Sequence, residues 1–257
     1  MGVVGRIVAV VNQKGGVGKT TVTLGLASAA QAAGHRVLLV DLDPQASTSW
    51  VLGVEPSEVK ESTAEILDGS HTGVVYESAW GEGIDVLPAS QRLQQQEIGK
   101  GRNPERRLSA ALAAIAADYD AVLIDCPPSL GNLTLNGLTA AQHALVVVEP
   151  SALGLRGITA VADLIDEVWG SSNPDLDLAG VVVNKMPAVS AEAERRTEEL
   201  TRNVGKKAVW SPALPQRVII NQAIAERRAI HSYGYRAQDI SQAFDALWAK
   251  LRKRLKD

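Results

Sequence analysis

The sequence predicts an α/β fold: a doubly wound, mostly parallel sheet with helices on both faces. Three observations carry that expectation. Short runs of Val, Ile and Leu recur along the chain, helix-like segments alternate with them, and the first run passes through a glycine-rich turn into a helical pattern. Strands covered on both faces read as near-continuous apolar runs, because they have no solvent side to mark with polar residues.

In chain order, RIVAVVN (6–12) is the first expected strand, and a helix follows over 19–33. RVLLVDLD (36–43) is the second strand, ended by Pro44, which biases Asp43 to an extended conformation. IDVLP (84–88) is the third, after the least regular stretch, 52–96. A helix over 104–117 precedes AVLIDC (121–126), and one over 133–142 precedes ALVVVEP (144–150). A helix over 155–169 leads to AGVVVNK (179–185), and helices over 191–203 and 237–256 follow. No Ser/Gly linker, repeat or low-complexity block divides the chain, so one domain over 1–257 is expected.

Composition narrows the function. The chain has 257 residues, 46% hydrophobic and 21% charged, with a formal net charge of −3, so any nucleic-acid contact must come from a local patch. Cys126 is the single cysteine, which excludes a disulfide framework or an iron–sulfur site built from one chain. The histidines have no ligand-like spacing. No apolar run reaches the length of about 20 residues that a bilayer span needs, and the start MGVVGRIVAVVNQ lacks the features of a secretory signal. A cytoplasmic protein is the expectation.

The turn itself reads VVNQKGGVGKTT. Gly15, Gly16 and Gly18 allow backbone N–H groups to form a nest for phosphate oxygens, and the helix N-terminus adds its dipole and free donors. Lys19 is placed for β- and γ-phosphates, and the Thr20 hydroxyl for a magnesium ion. The general pattern G-x-x-x-x-G-K-[ST] is nearly met, with Gln13 in place of its first glycine. Asp125 ends an apolar strand, where a carboxylate orients magnesium through water. Asp41 and Asp43 end another strand on the same rim. Asp43 is placed to position the attacking water, with Asp41 nearer the metal as the alternative. A second lysine, Lys14, is surplus to phosphate binding in one subunit. An ammonium there would complete charge neutralisation during hydrolysis, the task of an arginine finger acting in trans.

KGGVGKTT, VLLVDLDPQAS and VLIDCPPSLGNLTLNGL together resemble the ParA/MinD group of deviant Walker A ATPases, and best the short Soj-like ParA partition proteins. The resemblance is dense over 7–43 and 120–157 and looser through GVVVNK and WSPALPQRV. It implies ATP/ADP and Mg2+ as cofactors, with Lys14, Gly15, Gly16, Val17, Gly18, Lys19, Thr20 and Thr21 on the nucleotide. Thr20, Asp43 and Asp125 would serve the metal. It further implies an ATP-dependent homodimer with Lys14 reaching the partner's phosphates, Asn184 at the adenine edge and Pro215 over the base. Non-specific DNA binding and a ParB-like partner that stimulates hydrolysis also follow from the resemblance.

Candidate basic clusters are Arg195 and Arg196; Arg202 with Lys206 and Lys207; Arg217, Arg227 and Arg228; and 252–256. Of these, Arg217, Arg227 and Arg228 are the expected DNA contacts. Soj-like chains carry arginines in the stretch that here reads PQRVIINQAIAERRAI, where Gln216 and Ile220 depart from the pattern. The rival reading is a MinD-like membrane-cycling ATPase using DISQAFDALWAKLRKRLKD as a basic amphipathic helix. The spacing of its apolar stripe instead suits a last core-packing helix, so a membrane partner is not expected. Nitrogenase-reductase-like carriers need cluster cysteines that Cys126 alone cannot supply. The few residues before the first strand argue against an added operator-binding domain.

Overall fold

Residues 6–71 and 73–256 are described by the computed structural model; the ends of the expected 1–257 domain lie outside them. β1 (Arg6–Val11) leads through the glycine-rich turn to α1 (Lys19–Ala32) and β2 (Val37–Asp41). Then come α2 (Ser47–Val51), α3 (Thr63–Asp68), β3 (Tyr76–Glu77) and β4 (Ile84–Leu87). α4 (Arg107–Leu112), β5 (Ala121–Asp125), α5 (Asn132–Ala140), β6 (His143–Val148), α6 (Ala152–Ser171) and β7 (Asp177–Val183) follow. α7 (Ala191–Val204), β8 (Val209–Trp210), α8 (Val218–Ala225) and α9 (Gln238–Lys256) complete the order.

All eight strands join one sheet in the order β3-β4-β2-β5-β1-β6-β7-β8. Only the β3–β4 pair among them is antiparallel. Along β1 the side chains alternate between two apolar layers, Ile7, Ala9 and Val11 on one face and Val8 and Val10 on the other. The first layer packs under α3, α4, α5 and α6, and the second under α1 and α9. With helices on both sides, an uninterrupted apolar strand sequence is the expected outcome. Register then places the chemistry: Asp41 of β2 pairs with Asp125 of β5, and Val10 of β1 pairs with that same Asp125.

The six expected strands are all present, each within about two residues of its expected limits. The expected helix over 104–117 is not continuous: a 3-10 turn at Pro104–Arg106, α4 and a second 3-10 turn at Ala116–Asp118 replace it. After Leu112 the chain tightens into i→i+3 bonds, Ala114 N to Ala111 O and Ile115 N to Leu112 O, and so descends to β5. The irregular stretch 52–96 contains α3, whose signals are local. Ser62 and Glu65 form a capping box and Gly69 ends the helix in the left-handed region.

The apolar stripe of α9 is buried as core: Ile240, Phe244, Leu247, Trp248, Leu251 and Leu255 all face inward. Phe244 lies against Gly25 of α1, where an added Cβ would come within 2.2 Å of its ring. No helix among the described residues is long and apolar enough to cross a membrane. Because the α1–α9 contact leaves no room for a methyl group, Gly25→Ala is expected to destabilise the protein by about 1–3 kcal/mol through overpacking. A thermal melt checks this, and Gly25→Ala/Phe244→Leu should recover part of the loss. An unchanged melt for the single variant would refute the packing argument.

Candidate functional site

The glycine-rich turn is held open from outside by neighbouring strand ends. Asn12 donates its Nδ2 to Val147 O (2.5 Å) and accepts the Lys14 N–H at Oδ1 (2.8 Å). Asn184, at the end of β7, donates Nδ2 to Val17 O (2.8 Å), and Lys185 donates Nζ to Gly16 O. Gly16 (φ 79) and Gly18 (φ 91) are in the left-handed region. A Cβ on Gly18 would come within 2.2 Å of the Asn184 amide, so glycine is required there by space as well as by backbone. Gly18 is the N-cap of α1 and provides no side-chain cap. The first-turn N–H groups of α1 therefore lack an intrahelical or side-chain acceptor, which makes an anion site.

Lys19, 6% exposed, donates Nζ to Asn12 O at 3.1 Å. Burial lowers its pKa, while the charges of Asp125, Cys126 and Asp43 oppose the shift. An ammonium in this position gains most from a bound polyanion.

Asp125 is buried, and its Oδ2 accepts the hydroxyls of Thr20 (2.7 Å) and Thr48 (2.6 Å). Its Oδ1 is buried and has no hydrogen-bond partner among the described residues. Burial raises its pKa, against the hydroxyls of Thr48 and Thr20 and the charge of Lys19. An orphaned carboxylate oxygen beside a threonine hydroxyl is a hard-oxygen donor set that suits a hydrated divalent cation. The residues present fit magnesium.

Asp41 is fully buried and spends its oxygens on structure. Oδ2 accepts Ser49 N (2.8 Å) and Ser49 Oγ (2.7 Å), and Oδ1 accepts Asp43 N (3.1 Å). Burial and then the Asp125 charge push its pKa up. Asp41 thus supports the turn that presents Asp43. Asp43 is half-buried, and among the described residues its carboxylate takes the Gln45 N–H alone, on Oδ1 (2.9 Å).

Lys14 does not point into solvent. Its Nζ is 2.9 Å from Glu149 Oε2, and Lys185 Nζ is 3.0 Å from Glu149 Oε1. Burial would raise the Glu149 pKa, but the two ammonium groups outweigh it and hold the carboxyl below its ordinary value. Glu149 and Lys185 were not singled out from the sequence. Their signal was position, at the carboxyl ends of β6 and β7, where α/β ligands collect.

The other expected site residues divide in two. Gly15 lies in the turn against Pro128, 3.7 Å from where its Cβ would be, and Pro215 bridges to Met186 beside Asn184. Thr21 lines a small apolar cavity of about 20 Å3 with Leu24 and Val51. Arg217, Arg227 and Arg228 are each engaged by an acid: Arg217 with Asp239 (2.6 Å), Arg227 with Glu55 (3.1 Å) and Arg228 with Glu226 (3.8 Å). Arg227 also stacks over the Trp50 ring at 4.1 Å, and Arg228 over Tyr233 at 4.8 Å.

If the free Asp125 oxygen serves magnesium through water, Asp125→Asn should weaken magnesium-dependent ATP binding by about 10–100-fold. Magnesium-free binding should stay near wild type. Titration of a fluorescent ATP analogue with and without EDTA checks this; equal loss in both conditions would refute the role.

Comparison with known proteins agrees with this geometry. A family model described as an AAA domain matches residues 5–178. The chain is 36% identical to the chromosome partitioning protein ParA of Caulobacter vibrioides, over 98% of this chain and 96% of that protein. It is 34% identical to the sporulation initiation inhibitor protein Soj of Bacillus subtilis, over 91% of this chain and 93% of that protein. Among solved structures, cobyrinic acid a,c-diamide synthase from Mycobacterium smegmatis, with bound ADP and magnesium, aligns with a TM-score of 0.78 and 36% identity. That alignment covers 87% of this chain and 91% of the other. The strand-to-helix glycine turn, the aspartates at the ends of β2 and β5 and a near full-length likeness to ParA and Soj together place this chain in the ParA/MinD-type AAA-domain ATPase family.

Proposed function

We propose that the chain works as one domain, a cytoplasmic ATPase of DNA partitioning whose active form is an ATP-bound homodimer. The observation that carries the reading is the unpartnered Asp125 Oδ1 beside Thr20, at the same helix N-terminus that Lys19 begins. Residues 15–20 cradle the phosphates through their amides, and Lys19 neutralises the β- and γ-phosphates. Thr20 and Asp125 would hold magnesium, and Asp43 lies on the same rim to serve it. Bound magnesium would supply Lewis-acid neutralisation of phosphate charge. Asp43 also positions the water that attacks the γ-phosphorus as the bond to the bridging oxygen breaks, leaving ADP and phosphate. Asn184 and Pro215, close together beyond the loop, take the adenine.

Lys14 acts across the dimer. In the single subunit it is tied to Glu149, so it must exchange that carboxylate for the phosphates of a neighbouring nucleotide. Hydrolysis is expected to be slow until a ParB-like partner completes the site. Non-specific DNA is the expected track, giving association with the nucleoid. Burial of the α9 stripe removes the support for membrane cycling through that helix.

Lys14→Ala is expected to bind ATP nearly normally but to fail to dimerise. Its partner-stimulated hydrolysis should fall by about 10³-fold or more, as for loss of an arginine finger. Light scattering with ATP checks the first point, and a normal dimer would overturn it. Asp43→Ala should instead form a long-lived ATP dimer with turnover reduced by about 10²–10⁴-fold. Size-exclusion chromatography and phosphate release read both effects.

A further inference from the structure

We infer that Glu149 is a specificity-determining residue: by competing for the Lys14 ammonium, it lets a partner's ATP, and not a partner's ADP, draw two subunits together. The inference rests on the proposed ATP-bound homodimer and assigns its nucleotide selectivity to a carboxylate of this chain. Glu149 follows the end of β6 and bridges two ammonium groups, Lys14 at 2.9 Å through Oε2 and Lys185 at 3.0 Å through Oε1. Among the described residues no other donor or cation reaches that carboxylate. The shape of the glycine-rich turn is held by other contacts: Asn12 takes the Lys14 N–H, Asn184 donates to Val17 O and Lys185 to Gly16 O. Glu149 grips only the far end of the Lys14 side chain. Losing that grip frees an ammonium without loosening the loop.

Competition follows from the charges. Burial works against it, but the two lysines hold the Glu149 carboxyl below its ordinary value, so it competes as a full charge at neutral pH. The Lys14 and Glu149 side chains are 30% and 21% exposed, so water reaches the pair and exchange needs no unfolding. A nucleotide on the neighbouring subunit must offer Lys14 a stronger negative potential than this carboxylate does. ATP brings a γ-phosphate that ADP lacks, and the fixed charge of Glu149 sets the threshold between them. Without a competing partner in the single subunit, Lys14 would gain from either nucleotide, and the preference for ATP would shrink.

Lys185 makes the exchange reversible. Its backbone lies in the left-handed region, φ 56, which is uncommon for a residue with a Cβ, and its Nζ reaches back over the turn to Gly16 O. When Lys14 leaves, Glu149 keeps Lys185 and is not stranded as an unpaired charge, the outcome that makes breaking a desolvated pair expensive. The two lysines therefore act in opposite senses on one carboxylate. Lys14 is captured by it, and Lys185 weakens the capture.

The test uses the full chain with magnesium and either a non-hydrolysable ATP analogue or ADP, with the dimer fraction read by analytical ultracentrifugation over a protein concentration series. Glu149→Gln keeps the shape and removes the charge. It is expected to dimerise about 3–25-fold more tightly with the ATP analogue, because an exposed ion pair shifts an equilibrium by up to about fivefold and a symmetric dimer breaks two. It should also form a dimer with ADP at concentrations where the wild type stays monomeric. Lys185→Asn, which suits the left-handed backbone, leaves Lys14 as the sole partner of Glu149 and should weaken the ATP dimer. A Glu149→Gln protein that dimerises like the wild type, or more weakly, overturns the assignment and leaves the ATP dimer standing. Wild-type protein that stays monomeric with the ATP analogue overturns both. Acetic anhydride labelling of the nucleotide-free protein, read at Lys14 by mass spectrometry, tests the tether without assembly. Acetylation should rise severalfold in Glu149→Gln, and equal rates in the two proteins overturn the tether.

Discussion

Lys19, Asp41 and Asp125 are all withdrawn from water within one crevice, and much of the surrounding structure answers to that burial. An ion removed from solvent costs several kcal/mol unless it is paired and hydrogen-bonded. The β2–β5 register makes matters harder by setting the two aspartates side by side. Compensation comes from a hydroxyl-rich collar: Thr20 and Thr48 on Asp125, and Ser49 on Asp41. This explains why α2 begins Ser-Thr-Ser, a poor helix-forming sequence by propensity. Its side chains are selected to satisfy buried carboxylates, and the short helix follows from those bonds. One oxygen, Asp125 Oδ1, is left over, and the capacity to bind something further resides there.

Elements whose information is local and periodic are legible in the sequence. The six apolar runs read as strands because burial on both faces imposes a single composition, and α9 read as core because its stripe has helical spacing. β3 and β8 are two-residue edge pairs, too short to carry a period, so they exist only through their neighbours. The region of α4 misleads because a run of alanines favours helix at every position, while the tertiary path requires a tighter descent to β5. In α3 the capping box and terminal glycine were present in the text of the sequence and belong to a different signal, capping rather than periodicity.

The site divides along the same line. The phosphate turn and the strand-end aspartates are contiguous motifs and could be read directly. Glu149 and Lys185 could not, because their meaning lies in a cluster that sets Glu149 between Lys14 and Lys185, and its Lys14–Glu149 pair spans 135 residues of chain. The basic residues make the point most sharply. Sequence lists cations without saying which are already neutralised, and Arg227 finds its acid, Glu55, at a separation of 172 residues. Charge left unpaired, rather than charge present, is what a surface has available for a partner.

The Arg227 contact has an optical consequence. Trp50 stands on α2, the helix that follows Asp43, with a guanidinium 4.1 Å over its ring, and Trp80 donates its indole N–H to the Arg227 carbonyl (3.0 Å). Indole emission responds to a nearby cation and to solvent. Any movement of the Asp43 turn that drags α2 away from Arg227 therefore changes the light the protein emits, giving an intrinsic, label-free view of this turn during the nucleotide cycle.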